Sequence, residues 1–310
     1  MTAPLIQTEG LTRHFGDRVA VDSVDLELYS GEIFGFLGPN GAGKTTTIRM
    51  LSAMIAPTSG RVVVDGVELG RDNDAIRGKI GLLTEAPGHY PKLTALENLT
   101  LYSELHELSD GDARMEELLK LVGLWDRRDD ATVTYSKGMQ QKLAIARTLL
   151  HRPKILFLDE PTSGLDPQAS KMVRDLVDSL RDHGQLIVLC THNLDEASRL
   201  CDRVGIFKQR LLRIDKPEHL QRDAMGRRVK ITCGAPPSEA VLARVRELFP
   251  GRAFIVDGNE LEADLDDLDR DSPVLVKHLV EDDVAVVFVE PLEKSLEAVY
   301  LELVGDPTGE

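Results

Sequence analysis

The sequence predicts an α/β protein with a wound, largely parallel sheet, followed by a smaller α+β unit. Three observations carry that expectation. Short apolar strands alternate with helical stretches: "EIFGFLG" precedes "GKTTTIRMLSAMI", and "KILFLD" and "QLIVLCTH" flank an amphipathic stretch from Pro167 to Arg181. Strands interleaved with helices imply parallel pairing, because a crossover helix returns the chain to the same end of the sheet. From about Thr94 to Leu150 the pattern is helical, with no strand of any strength. Beyond Gly226 the rhythm becomes strand, helix, strand, strand, helix, strand.

Taken in order, residues 5–8 and 19–28 read as strands, and "VAVDSVDLEL" alternates apolar and polar residues at the period of a half-buried strand. They give the sheet an antiparallel start. "EIFGFLG" is a short apolar strand ending in glycine, and "RVVVDG" and "GKIGLL" are further strands, each beside a Gly turn. The stretch 94–150 is a helical insertion before "KILFLD" resumes the strands. In the second unit, "RRVKITC", a helix near 238–248, "AFIVDG", "ELEADL", a helix near 271–280 and "VAVVFVE" follow the ferredoxin-like order. A last helix over 292–304 places Leu292, Leu296, Val299, Tyr300 and Leu303 on one stripe.

The 310 residues suffice for two domains that each bury a core. A 42% hydrophobic and 29% charged composition is that of a globular protein. No apolar run approaches the roughly 20 residues that span a bilayer. The start, "MTAPLIQTEG", lacks the basic and apolar regions of an export signal. Cys190, Cys201 and Cys233 have neither metal spacing nor an even count, so a reducing cytoplasm is expected. The net charge of −15 argues against a nucleic-acid backbone partner. Residues 226–310 hold 9 Lys/Arg against 19 Asp/Glu, most of that charge, which sets a boundary at 225/226 with "RDAMGRR" as the joint. The acidic "DLDDLDRD" reads as a solvated loop, with weak cation binding as the alternative.

Two motifs carry chemistry on their own. "GPNGAGKT" fits G-x-x-x-x-G-K-[ST] between a strand and a helix. Its backbone N–H groups, from Gly38 through Asn40, Gly41, Ala42 and Gly43 to Lys44, Thr45 and Thr46, are placed to cradle phosphate oxygens at a helix N-terminus, with Pro39, which has no N–H, shaping the same nucleotide-binding loop. Lys44 is expected to reach the β- and γ-phosphates, and the Thr45 hydroxyl to join a Mg²⁺ shell. "ILFLDEP" is an apolar strand ending in two carboxylates: Asp159 for the metal shell and Glu160 to orient or deprotonate the attacking water. In "TYSKGMQQKLAIARTLL", Ser136 can cap a largely apolar helix.

"GPNGAGKT", "YSKGMQQKL", "ILFLDEPTSGLD" and "THNLDEA" occur in that order with suitable gaps, over residues 4 to about 222. They resemble the Walker A, signature, Walker B with D-loop, and H-loop motifs of ABC-transporter ATPase domains. The tail "PLEKSLEAVYLELVG" further resembles ATPase subunits of the bacterial drug- and polyketide-exporter branch. The resemblance implies a P-loop NTPase of ABC type: a wound parallel core, an antiparallel β subdomain and a helical subdomain at about 94–150, with a ferredoxin-like C-terminal domain over 226–310. It implies ATP and Mg²⁺ as ligands. Phe15 falls where an aromatic side chain stacks on adenine, the alternative being a core Phe at a strand end. His192 would contact the γ-phosphate, and Asp166 would lie between two ATPase domains, cap a helix, or do both.

Two positions depart from the family pattern. Glu85 stands where most members have a Gln that serves Mg²⁺ and the attacking water. It still offers an oxygen, and the expectation is activity with altered metal or pH dependence. Tyr135 and Lys137 replace the leucine and first glycine of Leu-Ser-Gly-Gly, while Ser136 and Gly138 remain. A nucleotide site needs a phosphate loop from one chain and a signature from another. The resemblance therefore implies a head-to-tail homodimer that closes over two ATP molecules beneath separately encoded membrane permease subunits, peripheral on the inner face of the cell membrane. The expected function is the ATPase subunit of an exporter. The alternatives are a soluble ABC ATPase in DNA repair or translation, and a nucleotide-gated module with little hydrolysis.

Overall fold

The computed structural model describes residues 3–84, 88–181, 184–224, 228–292, 299–300 and 303–304. The chain divides into two compact units, Met1–Pro217 and Glu218–Glu310. That division precedes the expected 225/226 boundary. Charge marks where surface chemistry changes, whereas a domain ends where packing changes, and the helix Pro217–Ala224 lies after the break except for its first residue.

The first unit opens with strands β1 (Ile6–Phe15) and β2 (Arg18–Leu28), paired antiparallel. There follow β3 (Ile33–Leu37), α1 (Lys44–Leu51), β4 (Ser59–Val64), β5 (Val67–Glu68), α2 (Asn73–Arg77) and β6 (Ile80–Leu83). The helical part holds α3 (Ala95–Leu105), α4 (Gly111–Leu121) and α5 (Lys137–Leu149). Thr94 and Glu97 close a capping box that fixes where α3 begins. The chain then returns through β7 (Ile155–Asp159), α6 (Pro167–Ser179), β8 (Leu186–Thr191), α7 (Leu194–Leu200), β9 (Arg203–Lys208) and β10 (Arg210–Asp215). An antiparallel sheet has the order β2-β1-β4-β5, and a six-stranded sheet the order β10-β9-β3-β8-β7-β6. The latter is parallel except for β10.

Every residue of β3, β7 and β8 is buried, which is why these strands read as unbroken apolar runs rather than alternating ones. Phe34, Phe36 and Phe207 meet edge to face at the centre, with ring centroids 5.2 and 5.7 Å apart. Burial of each such side chain contributes about 1.5–3 kcal/mol. Parallel register pairs Leu37 with Thr191 and Asp159 with Cys190, so three chain segments arrive together at the C-terminal edge of the sheet.

The sequence reading places no strand at 203–215, yet the structure has β9 and β10 there. Their one-residue link is Gln209 at φ 62°, so the Gly or Asn that advertises a tight hairpin is missing. β1 also runs to Phe15, well past the expected 5–8.

The second unit begins with α8 (Pro217–Ala224), in which Glu218 is the first residue past the division. It continues with β11 (Arg228–Cys233), α9 (Glu239–Leu248), β12 (Phe254–Asp257), β13 (Glu260–Asp264), α10 (Leu268–Glu281) and β14 (Val286–Pro291). The antiparallel sheet order β12-β13-β11-β14 is that of a ferredoxin-like split βαβ, and Ile231, Val245, Leu261, Leu275 and Leu279 form its core. In the acidic stretch, Asp267 accepts from the N–H groups of Asp269 and Arg270 and so caps α10. Among the described residues no cluster of three potential metal ligands occurs. Most of the last expected helix lies outside the described residues; residues 299–300 and 303–304 are helical and Val299 is buried.

Candidate functional site

The glycine-rich loop leaves β3 and enters α1 with no room for side chains at two points. A Cβ on Gly43, at φ 104°, would lie 2.3 Å from the Ala20 carbonyl oxygen, and one on Gly38 would lie 2.4 Å from that of Phe207. The loop is therefore pressed against β2 and β9, and its turn aims backbone N–H groups at the mouth of α1. Lys44 is buried at 6% exposure, and its ammonium donates to the carbonyl oxygens of Gly38 and, at 3.2 Å, Pro39. A positive charge is thus held over the centre of the loop.

The carboxylates come from β7. The Thr45 hydroxyl donates to Asp159 Oδ2 at 3.0 Å, which joins the start of α1 to the end of β7. Glu160 turns sharply off the strand at φ 51°, a costly conformation for a residue with a side chain, and its N–H donates to the Cys190 carbonyl at 2.9 Å. That turn directs its side chain to His192, whose Nδ1 lies 2.8 Å from Glu160 Oε1. His192 stands just beyond β8 and is exposed.

These groups share a cleft of about 550 Å³. Phe15, the loop residues Pro39 to Thr46, Asp159, Glu160 and His192 line it, so most of the residues singled out from sequence meet in one place. Phe15 is 49% exposed, which removes its reading as a core residue. The Arg13 guanidinium sits 4.6 Å from the centre of its ring. Arg18, Arg49 and Ser163 also line the cleft, and sequence reasoning passed over all three. No short-range pattern marks Arg18. It starts an ordinary alternating strand, and folding alone brings it to within 3.8 Å of the Cβ position on Gly41. Glu85 lies outside the described residues.

Ser136, Gly138 and Asp166 line a different cleft, of about 200 Å³, with Met139, Lys142 and Ala169. Ser136 caps α5 by accepting from the Met139 N–H at 3.3 Å, and Asp166 caps α6 by accepting from Ala169 at 2.9 Å. A Cβ on Gly138 would approach Ala169 Cβ to 2.8 Å, so this glycine lets α5 and α6 come together. Tyr135 is buried and its hydroxyl donates to the Arg127 carbonyl at 2.5 Å, so it fills an apolar position with a satisfied polar tip. Lys137 is exposed and makes no ion pair among the described residues.

A phosphate loop, a Thr–Asp bond across its helix and a Glu–His pair at one sheet edge define a nucleoside-triphosphate-hydrolysing class of protein. The sequence profile of the ABC transporter family matches residues 21–163. The linearmycin resistance ATP-binding protein of Bacillus subtilis is 32% identical over 306 residues, covering 97% of this chain and 98% of that protein. The daunorubicin resistance ATP-binding protein DrrA3 of Streptomyces coeruleorubidus is 34% identical over 311 residues, covering 99% and 98%. Among solved structures, a dimeric ATP-binding cassette in a post-hydrolysis state with ADP and Pi aligns with a TM-score of 0.62. It is 28% identical and covers 68% of this chain and 98% of that one. The chain belongs to the ABC transporter family, as an ATP-binding and ATP-hydrolysing subunit. No helix among the described residues is long and apolar enough to cross a membrane.

Proposed function

We propose that this chain is the ATPase subunit of an exporter and works as a head-to-tail homodimer. The phosphate-loop cleft of each protomer would face Ser136, Gly138 and Asp166 of the other. The observation that carries this reading is that the phosphate-loop residues and the signature residues line two clefts with no lining residue in common, which supports a site whose halves come from two chains. Export is supported by relatives whose names denote drug resistance, along nearly the whole chain. The permease partners are separate chains, through which the subunit sits at the inner face of the cell membrane.

In this mechanism the loop N–H groups and Lys44 bind the β- and γ-phosphates, with ammonium-to-phosphate bonds replacing those to the Gly38 and Pro39 carbonyls. Phe15 stacks on the base. Glu160 orients the attacking water and takes its proton, and His192 holds Glu160 in that direction. Thr45 and Asp159 offer the hard oxygen donors that suit Mg²⁺ and would hold it, where it would offset charge on the β- and γ-oxygens. Ser136 and the N-terminus of the partner's α5 would favour the γ-phosphate anion. Glu85 keeps its expected part as a further oxygen donor.

Steady-state ATP hydrolysis by the wild type beside Glu160→Gln tests the reading. Loss of general-base assistance lowers kcat by about 10²–10⁴-fold while ATP still binds. Equal, negligible rates for the two proteins would remove the enzyme reading.

A further inference from the structure

Outside the two clefts, Glu32, Glu196 and Asp271 are buried carboxyls among the described residues, and of these only Glu196 is fully buried. Glu196, on α7, has no exposed surface. Burial pushes its carboxyl above the usual range, against the opposing hydroxyls of Thr191 and Thr162. Such a group costs stability that an apolar side chain of the same size would not. Its placement accounts for that cost. The Thr162 hydroxyl donates to Glu196 Oε1 at 2.8 Å, and the Glu196 N–H donates to Asn193 Oδ1 at 3.1 Å. Thr162 lies in the strap Pro161–Asp166. At its start, Ser163 N–H donates to the Glu160 carbonyl at 3.1 Å and Ser163 lines the phosphate-loop cleft. At its end, Asp166 lines the second cleft. Glu196 therefore ties the strap that joins Glu160 to Asp166, near its Glu160 end, to the segment that carries His192.

We propose that Glu196 is a positioning residue that couples the two clefts. Through Thr162 it fixes the strap, so that a partner protomer docking on Asp166 sets the direction of the Glu160 side chain against His192. The inference rests on the functional reading above, since it presupposes hydrolysis by Glu160. It does not touch nucleotide binding, so it predicts an effect on turnover alone.

The test uses the full-length chain with Glu196→Leu, Glu196→Gln, Thr162→Val and the Glu196→Leu/Thr162→Val double variant, in steady-state ATP hydrolysis with thermal unfolding recorded for each. Glu196→Leu and Thr162→Val each lower kcat by roughly tenfold, as loss of one orienting hydrogen bond does, with KM for ATP within about twofold of wild type. The double variant is no slower than the slower single variant, because both remove the same bond. Glu196→Gln recovers most of the rate, since its amide oxygen still accepts from Thr162. Additive losses, a rise in KM with kcat kept, or Gln as damaging as Leu each overturn the proposal. Should the leucine variant not fold, Thr162→Val and Glu196→Gln still decide it: a Thr162→Val with wild-type kcat, or a Glu196→Gln that loses tenfold, sinks the coupling. If the wild type itself hydrolyses no more ATP than Glu160→Gln, the functional reading fails instead, a result separate from these.

Discussion

The phosphate-loop cleft and the signature cleft lie in the same compact unit and are built to opposite standards. In the first, a lysine with 6% exposure is held by carbonyls of its own loop, a buried Asp159 by the Thr45 hydroxyl of α1, and a glutamate at positive φ by the Cys190 carbonyl of β8. In the second, Ser136, Lys137 and Asp166 are exposed, and the two side-chain caps make ordinary bonds to their own helices. A site that must bind by itself is pre-organised at a cost in folding, whereas a surface that completes a neighbour's site needs the right groups presented, not buried. The difference predicts that damage to the first cleft is felt by a lone chain, and damage to the second only by a pair.

Lys44→Ala breaks the first region outright. It removes the ammonium proposed to contact the β- and γ-phosphates, and ATP affinity of the isolated chain is expected to fall roughly 10²-fold in a fluorescent-nucleotide titration. Wild-type affinity would take away the central role of the buried ammonium. Gly138→Ala breaks the second. Its Cβ meets Ala169 Cβ at 2.8 Å, pushing α5 from α6 and misplacing Ser136. Hydrolysis falls by about tenfold or more, while ATP binding to the lone chain is unchanged in the same titration.

Acid should loosen the helical side first. Burial, aided by the positive charge of Arg147, holds His89 at about 4 against an ordinary 6.5, with the Gln140 backbone of α5 as an opposing partner. Burial also lowers His106 and His151. For His89, the unfolded chain takes up the proton below about pH 6.5 and the folded chain does not until near pH 4, so its contribution is level above 6.5 and stability declines as pH falls from there; His106 and His151 act in the same direction. Thermal unfolding at pH 5 should come earlier than at pH 7.5, and His89→Gln should recover of the order of 2–4 °C of that difference. A variant with the same pH slope as wild type would show that His89 is not responsible. The smallest effect is expected from Lys137→Gly, at an exposed residue that opens α5: nucleotide binding to the lone chain should stay within about twofold in titration, as for most surface changes. Loss of that binding would mean the two clefts are not separate.

Where the chemistry is contiguous along the chain, it was readable. The loop from Gly38 to Thr46 needs three glycines, a lysine and a threonine at set offsets, and the turn and helix start follow from local geometry. The paired carboxylates after "ILFL" were readable because a buried strand has a distinctive apolar run. β9 and β10 were hidden, because Gln209 takes the turn that glycine usually takes and gives no signal. Arg18 and Arg49 escaped notice because each belongs to an element whose own pattern is ordinary, and Ser163 because nothing in its motif singles it out from its neighbours.

By itself the sequence determined the order of most elements, β9 and β10 excepted, together with the glycine-rich loop before α1, the paired carboxylates after β7 and the four ordered motifs. Local spacing dictates backbone conformation over a few residues, and that is all these features require. Only the tertiary structure decided that Thr45 and Asp159, 114 residues apart, share a hydrogen bond. It also decided that Glu160 and His192 point at each other, and that the strap from Thr162 to Asp166 hangs on Glu196. Those contacts depend on the strand order β10-β9-β3-β8-β7-β6, which arises from pairings far apart in the chain. Burial of whole apolar strands, not any local signal, selects which neighbours pair.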